Sequence, residues 1–292
     1  VHSYLCADYQ SIRDVISDFQ LQITPDITHA CIDVACPVDD DRIELTNNHW
    51  WFSVSELKDQ FQLASLEVIN DYTAIAMSIP QLKASQKTKI GRGEPVPDMP
   101  MAVCGPGTGL GVSFLKKHQN DWVCLHGEGG HVDFAPQGDL EDFILKEMRK
   151  QTSHVSAERL ITGPGLINLY RCIKAYYEEE PEDLTPEDIT RLAIQDNDTR
   201  CREVLDLFCR LLGAFAGNLA LTVWAMGGVY IAGGIAPSIV ETIAASNFRA
   251  RFEAKGRFTD KMKQIPTYII TEQHPGMIGS AAYLMQTLKS RS

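Results

Sequence analysis

The sequence has few basic residues for its acidic content. Its 292 residues include 27 Lys and Arg against 38 Asp and Glu, which gives a formal net charge of −11. Nucleic-acid-binding proteins carry a basic surface, so this balance argues against a nucleic-acid partner. It also means that an anionic ligand would have to be held by local backbone dipoles and a metal ion, because the overall field repels it.

The eight cysteines include no Cys-x-x-Cys pair, which argues against the common kinds of zinc site. Some stand within apolar runs, as Cys31 and Cys124 do. Reduced thiols in a core are the simplest interpretation, and they fit a reducing compartment. The first residues include Asp8, Arg13 and Asp14 where a signal peptide would have an apolar stretch. We therefore expect a cytoplasmic protein.

One uncharged run has to be tested as a possible membrane span. Residues 211–235 carry no charge, but Asn218 and the pairs Gly227-Gly228 and Gly233-Gly234 interrupt them. A membrane-spanning helix needs about 20 consecutive, predominantly apolar residues. A buried helix, a turn and a buried strand explain the run better, so we expect no membrane partner.

Segments of helical and strand character alternate along the chain. Apolar residues at Ile12, Val15, Ile16 and Phe19, for example, form a helical stripe. The predicted helices are 9–19, one starting at Ser53, 72–79, 140–150, 166–177, 186–195, 199–223, one starting at Pro237, and 276–288. The predicted strands are 29–35, 42–46, 66–69, 101–104, 112–115, 122–125, 229–232 and 265–270. Because neither type is confined to one part of the chain, the predicted fold class is α/β.

Two local patterns refine this organisation. Ser53 followed by Glu56 predicts a capping box at the start of a helix. Residues 81–100 contain Lys, Gly and Pro without apolar periodicity, and they predict a linker.

Four glycines stand in the seven residues 105–111, Gly-Pro-Gly-Thr-Gly-Leu-Gly, between two predicted strands. The segment fits neither GxxxxGK[ST] nor GxGxxG. Glycines permit close backbone approach, so successive N–H groups can converge on a phosphate oxygen, and Thr108 could add a hydroxyl donor. A tight β-hairpin turn is the alternative. The number of glycines exceeds what a hairpin needs and favours a phosphate loop.

A second glycine turn follows the predicted strand 229–232. Gly233 and Gly234 stand between this strand and the helix predicted to start at Pro237. Such a strand-to-helix turn could lie against an adenosine or a phosphate. A plain turn explains it equally well.

Several polar side chains are candidates for binding a ligand with many hydroxyl groups. Glu128 and His131 stand in Gly-Glu-Gly-Gly-His, a loop that we expect to be too rich in glycine to serve packing, and Glu158 follows in the segment 154–165. These are also metal-ligating residue types, but their spacing matches neither HExxH nor another metal pattern, so we assign them no metal.

Asp71 is the candidate general base, because a hydroxyl that attacks a phosphoryl group must lose its proton and a carboxylate at the end of a strand can accept it. Asn-Asp before a helix is equally typical of an N-cap, and the local pattern alone favours the cap.

Together and in this order, these segments resemble the bacterial glucokinase family, the group distinct from the zinc-containing repressor/kinase group. The matching segments are 45–50, 66–71, 105–111, 127–134, 154–165 and 229–235. The resemblance runs from about Tyr9 to the C-terminus. It implies a two-domain hexokinase/actin-like (ribonuclease H-like) fold with an interdomain cleft. The expected small domain is 1–81, with the C-terminal helix 272–292 packed back on it, and the expected large domain is 82–271.

The resemblance further implies ATP-dependent phosphorylation of glucose to glucose 6-phosphate, the first step of glycolysis, with Mg²⁺ and in a homodimer. A non-catalytic sugar-binding or regulatory protein and a kinase for another hexose remain alternatives. By position, it implies that Asp71 is the catalytic base, with capping a secondary role. The implied glucose contacts are Asn70, Glu128, His131 and Glu158; the implied nucleotide contacts are Gly105, Gly107, Thr108, Gly109, Gly233 and Gly234.

The chain departs from the family at its start. The family opens with Asp-x-Gly-Gly-Thr-Asn, a first phosphate motif, and no such run is present here. The first residues resemble the part that follows this motif. We therefore expect that about 30 residues, two or three strands' worth, are missing from a longer kinase, which leaves the activity of this chain open.

Overall fold

The computed structural model describes residues 1–23, 27–46 and 49–291. Asn47 and Asn48, within the matching segment 45–50, lie outside the described residues. In chain order, the helices are α1 (Ile12–Ile23), α2 (Val54–Gln60), α3 (Asp71–Ser78), α4 (Asp139–Met148), α5 (Gly163–Tyr176), α6 (Pro186–Ile194), α7 (Thr199–Val223), α8 (Ile235–Ser238), α9 (Val240–Ala245), α10 (Phe248–Glu253), α11 (Thr259–Met262) and α12 (Pro275–Arg291). The strands are β1 (His29–Val34), β2 (Arg42–Glu44), β3 (Trp51–Ser53), β4 (Ser65–Asn70), β5 (Lys87–Ile90), β6 (Met101–Pro106), β7 (Leu110–His118), β8 (Asp121–Gly127), β9 (Gly228–Ile231) and β10 (Thr267–Ile270).

The chain divides into two compact units. The first consists of Val1–Gln81 and His274–Ser292, and the second of Leu82–Gln273. Strands and helices alternate within both, so the predicted α/β class is confirmed. Most predicted segments are present with bounds shifted by a few residues. The helix predicted to start at Pro237 begins instead at Ile235, and the proline stands in its first turn, where its missing N–H costs no hydrogen bond.

The first unit contains a two-stranded parallel sheet. β1 pairs with β4 over its whole length and ends with Val34 opposite Asn70. α12 packs on α3 and on β1. Where α12 crosses α3, a Cβ on Gly279 would overlap the carbonyl oxygen of Ala74. The two helices therefore lie in backbone contact. The end of β4 leads directly into α3, and α12 packs on α3.

The start of α2 follows only half of the predicted capping box. The Ser53 hydroxyl oxygen accepts a hydrogen bond from the backbone N–H of Glu56 at 3.1 Å. The Glu56 carboxylate pairs with Arg13 of α1 at 2.7 Å. The predicted N-cap at Ser53 is therefore confirmed. The Glu56 carboxylate, which the local pattern assigned to the capping box, is instead paired with Arg13, 43 residues away in sequence.

The second unit contains a six-stranded mixed sheet in the order β5-β10-β9-β6-β7-β8. β9 runs parallel to both β10 and β6, whereas β6, β7 and β8 form an antiparallel meander. The fully buried strands β6 and β9 lie at its centre. The end of the β6–β7 hairpin and the turn after β9 therefore emerge from neighbouring strands.

The predicted linker 81–100 is wrong in part, because it contains β5. This strand pairs antiparallel with β10 at the edge of the sheet. Its sequence, Lys-Thr-Lys-Ile, buries only Ile90 and shows no apolar alternation. The Lys87 ammonium lies 5.7 Å from the ring centre of Tyr230 and 5.6 Å from that of Tyr268. Edge strands commonly carry lysine, which is why periodicity could not reveal this one.

Helix α7 forms the centre of the second unit's core. By length and composition it could cross a membrane, but 72% of its most apolar window is buried inside the structure. It packs against α5, α6 and α10. This burial favours the predicted interpretation as a core helix.

A buried ion-pair cluster joins α4, α7 and α10 in the same unit. Glu141 is 1% exposed, and its carboxylate lies 3.2 Å from Arg210 and 2.9 Å from Arg251. Arg251 also donates to the side-chain oxygen of Gln137 at 2.8 Å, and the backbone N–H of Gln137 donates to the Glu141 carboxylate at 2.8 Å. The cluster therefore fixes both the packing of three helices and the segment that leads into α4.

Replacing Glu141 with alanine is expected to destabilise the second unit by about 3–5 kcal/mol, because it leaves two arginines without their buried counter-charge. Chemical denaturation followed by circular dichroism measures this. The matched control is Asp260→Ala, which removes the exposed partner of Lys263 and should cost less than about 1 kcal/mol. Equal losses for the two variants would contradict the importance of the cluster.

Candidate functional site

Asn70 and Asp71 lie in the first unit, where β4 ends and α3 begins. Asn70 is the N-cap of α3: its Oδ1 accepts from the backbone N–H of Tyr72 at 2.9 Å, and its Nδ2 donates to the carbonyl of Cys36 at 3.4 Å. Asp71 is the first helical residue, and its Oδ1 accepts from the same Tyr72 amide at 2.9 Å. The N-cap position that the local pattern offered for Asp71 is therefore occupied by Asn70.

Burial raises the pKa of Asp71 above the ordinary aspartate value, and the hydrogen bond from the Tyr72 amide opposes this rise. The charge of Asp33 raises it further. Asp33 lies on β1 opposite Ile69 of β4, and the Ser280 hydroxyl of α12 donates to it at 2.8 Å. A carboxylate with a raised pKa is a stronger base, so the environment suits Asp71 to accepting a proton.

Sequence reasoning missed Asp33 as a neighbour of Asp71. The signal was available, because Asp33 is a carboxylate near the C-terminal end of a strand, the same pattern that drew attention to Asp71. What the sequence could not supply was the parallel pairing of β1 with β4, which places the two carboxylates close together.

The glycine-rich segment 105–111 forms the end of the β6–β7 hairpin. Strand pairing continues to Pro106 opposite Leu110, which leaves a three-residue turn. Thr108 and Gly109 are exposed at its tip. The geometry is that of the hairpin alternative, and the binding of phosphate there stays a prediction.

The turn is supported by backbone contacts on either side. Gly107 donates to the carbonyl of Gly109 at 2.9 Å, and its own carbonyl accepts from Gly163, at the start of α5, at 2.9 Å. Gly233 has a φ of +81°, and a Cβ there would overlap the carbonyl oxygen of Pro106. The turn after β9 can lie on the hairpin only because this position has no side chain. At the neighbouring Gly234, a Cβ would meet open space.

The three polar side chains predicted from two loops come together in the second unit. His131 Nε2 lies 3.8 Å from Glu158 Oε1 and 4.0 Å from Glu128 Oε2. Glu158 is the least exposed of the three, at 29%, compared with 57% for His131 and 73% for Glu128. Two carboxylates beside an imidazole provide the donors and acceptors that vicinal hydroxyl groups need.

Glu158 also joins this polar cluster to the hairpin. Its Oε2 accepts from the backbone N–H of Leu110 at 2.9 Å, while its Oε1 faces His131. The segment that carries Glu158 leads into α5, where the Thr162 hydroxyl donates to the carbonyl of Glu158 at 2.8 Å and accepts from Gly165 at 3.0 Å. One carboxylate is thus fixed between the candidate sugar contacts and the candidate phosphate turn.

The expectation that the glycines around His131 do not serve packing is wrong. A Cβ on Gly130 would overlap the carbonyl oxygen of Leu110, and Gly130 is buried. The loop lies directly on β7 because glycine allows the two backbones to touch. Packing and ligand binding are therefore not alternatives here: the close contact is what places Glu128 and His131 beside Glu158.

Comparison with known proteins gives a consistent set of relatives. A family model described as Glucokinase matches residues 1–287. A glucokinase of Erwinia tasmaniensis is 49% identical over 286 residues, which cover 98% of this chain and 89% of that protein. One of Yersinia pestis is 48% identical over the same number of residues, with 98% and 88% covered.

Solved structures show the same likeness. A glucokinase from an Antarctic psychrotroph has a TM-score of 0.90 and 35% identity, covering 98% of this chain and 89% of that one. A glucokinase of the ROK family from Streptomyces griseus, solved with glucose and AMPPNP, has a TM-score of 0.62 and 18% identity, covering 94% and 88%. At that identity the second match shows the fold alone, which is the actin-like ATPase fold of sugar kinases.

Two glycine-to-alanine variants separate phosphate binding by the β6–β7 turn from the packing of the turn against Glu158. A Cβ on Gly107 would have its nearest neighbour 4.0 Å away, whereas one on Gly109 would lie 3.0 Å from the Glu158 carboxylate. Gly107→Ala should therefore leave glucose affinity unchanged and weaken ATP binding by about tenfold if phosphate lies against the turn. Gly109→Ala should weaken both. Calorimetric titration measures the affinities, and unchanged ATP binding by both variants would contradict a phosphate site.

Asp71→Asn is expected to raise the melting temperature at pH 7, by about 2 °C. The folded-state pKa of Asp71 lies above its unfolded value. Its ionised form therefore costs stability at neutral pH, and that cost disappears as the pH falls below about 3.9. The difference between variant and parent should shrink from pH 7 to pH 4. Asp39→Asn, at an exposed position in the same unit, is the control. A lower melting temperature for Asp71→Asn at pH 7 would contradict the raised pKa.

Proposed function

Because the chain belongs to the glucokinase family, we propose that it transfers the γ-phosphoryl group of ATP to the 6-hydroxyl of glucose. The observation that carries this is the family match, which extends over 98% of the chain at 49% identity. The geometry of the candidate residues supports it. Each of the two compact units contributes residues of the kind that such a transfer needs.

Asp71 is the general base of the proposed reaction. Phosphoryl transfer depends mainly on positioning and charge stabilisation, and the protein's remaining task is to remove the proton of the attacking hydroxyl. The raised pKa of Asp71 makes its carboxylate a better proton acceptor than an exposed aspartate. Its Oδ1 accepts from the Tyr72 amide, which holds the carboxylate in place. Asn70, fixed as the N-cap of α3, is proposed to contact the sugar through its amide.

Glu128, His131 and Glu158 are proposed to bind the other hydroxyl groups of glucose. A hexose presents neighbouring hydroxyls that donate and accept at once, and this trio matches them with two acceptors and an imidazole that can do either. Since Glu158 is already held by the Leu110 amide, its second oxygen meets the sugar in a fixed position. Preorganisation of this kind lowers the entropy cost of binding.

Gly105, near the end of β6, and Gly107, Thr108 and Gly109, in the β6–β7 turn, are proposed to hold the phosphates of ATP. Gly233 and Gly234, in the turn after β9, are proposed to hold the adenosine. The described residues contain no group of three His, Cys, Asp or Glu side chains that could hold a metal ion. Mg²⁺ therefore fits as a partner of the nucleotide, bound mainly through phosphate oxygens and water, where it would neutralise charge on the transferred group.

The same proposal covers the location of the protein in the cell and its oligomeric state. A cytoplasmic location agrees with the burial of five of the eight cysteines, which raises the pKa of Cys104 and of Cys209 to about 12. A homodimer, with neither nucleic acid nor membrane as a partner, is proposed from the family resemblance and the acidic composition. Light scattering coupled to size-exclusion chromatography tests the oligomeric state.

The decisive test is formation of glucose 6-phosphate from glucose and Mg·ATP by this chain. We expect turnover, and we expect Asp71→Asn to lower kcat by about 10²–10⁴-fold, the usual contribution of a general base. Glucose affinity should change by less than about threefold, because the variant keeps the shape and the Tyr72 bond of the side chain. Full activity of Asp71→Asn would remove it as the base.

The competing functions give different results in the same assay. A kinase for another hexose would phosphorylate mannose, fructose or N-acetylated hexoses faster than glucose at equal concentration. A sugar-binding protein without catalysis would bind glucose in calorimetry and form no product with ATP, ADP or polyphosphate.

A further inference from the structure

His154 has no part in the proposed reaction, yet it contacts the loop that carries His131. It stands four residues before Glu158 in the segment that follows α4. Its Nε2 lies 2.8 Å from the carbonyl oxygen of His131, and its Nδ1 lies 3.3 Å from Oδ1 of Asp133. Both ring nitrogens therefore face the loop, although the side chain is 53% exposed.

This contact reinforces a short backbone ladder. Phe134 donates to the carbonyl of Val155 and Ala157 to that of Val132, both at 2.9 Å. An antiparallel bridge between Asp133 and Ser156 lies between them. The ladder joins the loop to the segment of Glu158, but no backbone bond of this ladder reaches the carbonyl of His131 among the described residues. The His154 side chain supplies that link.

The proton positions follow from the partners. A carbonyl oxygen can only accept, so the Nε2 of His154 must carry a proton when it bonds His131. Nδ1 can donate to Asp133 only when the ring is also protonated there. The bond to His131 is therefore made by the charged ring and by the neutral ring whose proton is on Nε2. The Asp133 carboxylate is 89% exposed, and such an ion pair adds little in water.

We propose that His154 is a positioning residue for the sugar site: its bond to the His131 carbonyl fixes the peptide that carries the His131 ring. This rests on the proposed function of His131 as a glucose contact. The N–H of the same peptide, that of Val132, donates to Gly129 at 3.3 Å, and the N–H of His131 donates to Glu128 at 3.0 Å, so the peptide is part of a tight turn. Holding its carbonyl fixes the orientation of the turn, and with it the separation of the His131 ring from Glu158. Functional side chains need such support to stay within a fraction of an ångström of their working geometry.

The test compares His154→Ala, His154→Gln and the control His118→Ala, an exposed histidine at the end of β7. We expect His154→Ala to raise the glucose Kd and KM by about tenfold, the upper range for one net hydrogen bond, with kcat and the ATP KM within about twofold. His154→Gln keeps a donor at the Nε2 position and should restore most of the affinity. Asp133→Asn should change the glucose Kd by less than about twofold.

Hydrogen exchange gives a readout that does not depend on turnover. The peptide that spans residues 128–134 should exchange faster in His154→Ala and at the parent rate in His154→Gln and His118→Ala. Unchanged exchange and unchanged glucose affinity in His154→Ala would overturn the proposal. So would a loss that His154→Gln fails to restore and that comes with a lower melting temperature, because that pattern marks a purely structural residue.

The outcomes also separate this proposal from the proposed function. If the parent chain binds glucose and His154→Ala binds it equally well, only the role of His154 is wrong. If the parent chain does not bind glucose at millimolar concentration, the function assigned to His131 is wrong, and the positioning role for a sugar fails with it.

Discussion

The second unit depends on close backbone contact around the end of the β6–β7 hairpin. The Gly130 loop lies on one side of it, and the Gly233 turn lies against the carbonyl of Pro106. The start of α5 reaches it through the bond from Gly163 to Gly107. Side chains at Gly130 or Gly233 would overlap the hairpin backbone and force the segments apart. The candidate site in this unit exists because four chain segments meet with almost nothing between them.

A charged side chain ties one of these segments, the one that leads into α5, to the hairpin. The Glu158 carboxylate accepts from the Leu110 amide, and a hydrogen bond of this charge-assisted kind is shorter and stronger than one between neutral groups. A ligand that binds Glu158 therefore contacts a side chain that is hydrogen-bonded to the hairpin. In the first unit the corresponding cost is electrostatic, because burial, and to a lesser extent the charge of Asp33, raises the pKa of Asp71 and disfavours its ionised form, as is common at functional sites.

The sequence predicts regular elements well where periodicity or an apolar run is strong, as for α7, whose bounds were predicted to the residue. It fails where an element depends on its neighbour. β5 shows no apolar alternation because it lies at the edge of the sheet. Glu56 does not complete the capping box because its carboxylate pairs with Arg13 of another helix. Residue types in glycine loops pointed to Glu128, His131 and Glu158, and the structure brings the three together. Asp33 and His154 escaped notice, since each matters through a contact between segments that no local pattern encodes.

The division of the chain has a consequence for how it is made. The first unit is completed by α12, which packs on α3 about 200 residues further along the chain. At ribosomal speeds of roughly 5–20 residues per second, that interval lasts about 10–40 s. During this time the second unit can already be synthesised and folded, whereas the surfaces of α3 and β1 that α12 covers are still exposed. The part of the protein that is translated first is thus the part that finishes folding last, and the face of α3 around Ala74 is the surface that the cell must keep from aggregating until then.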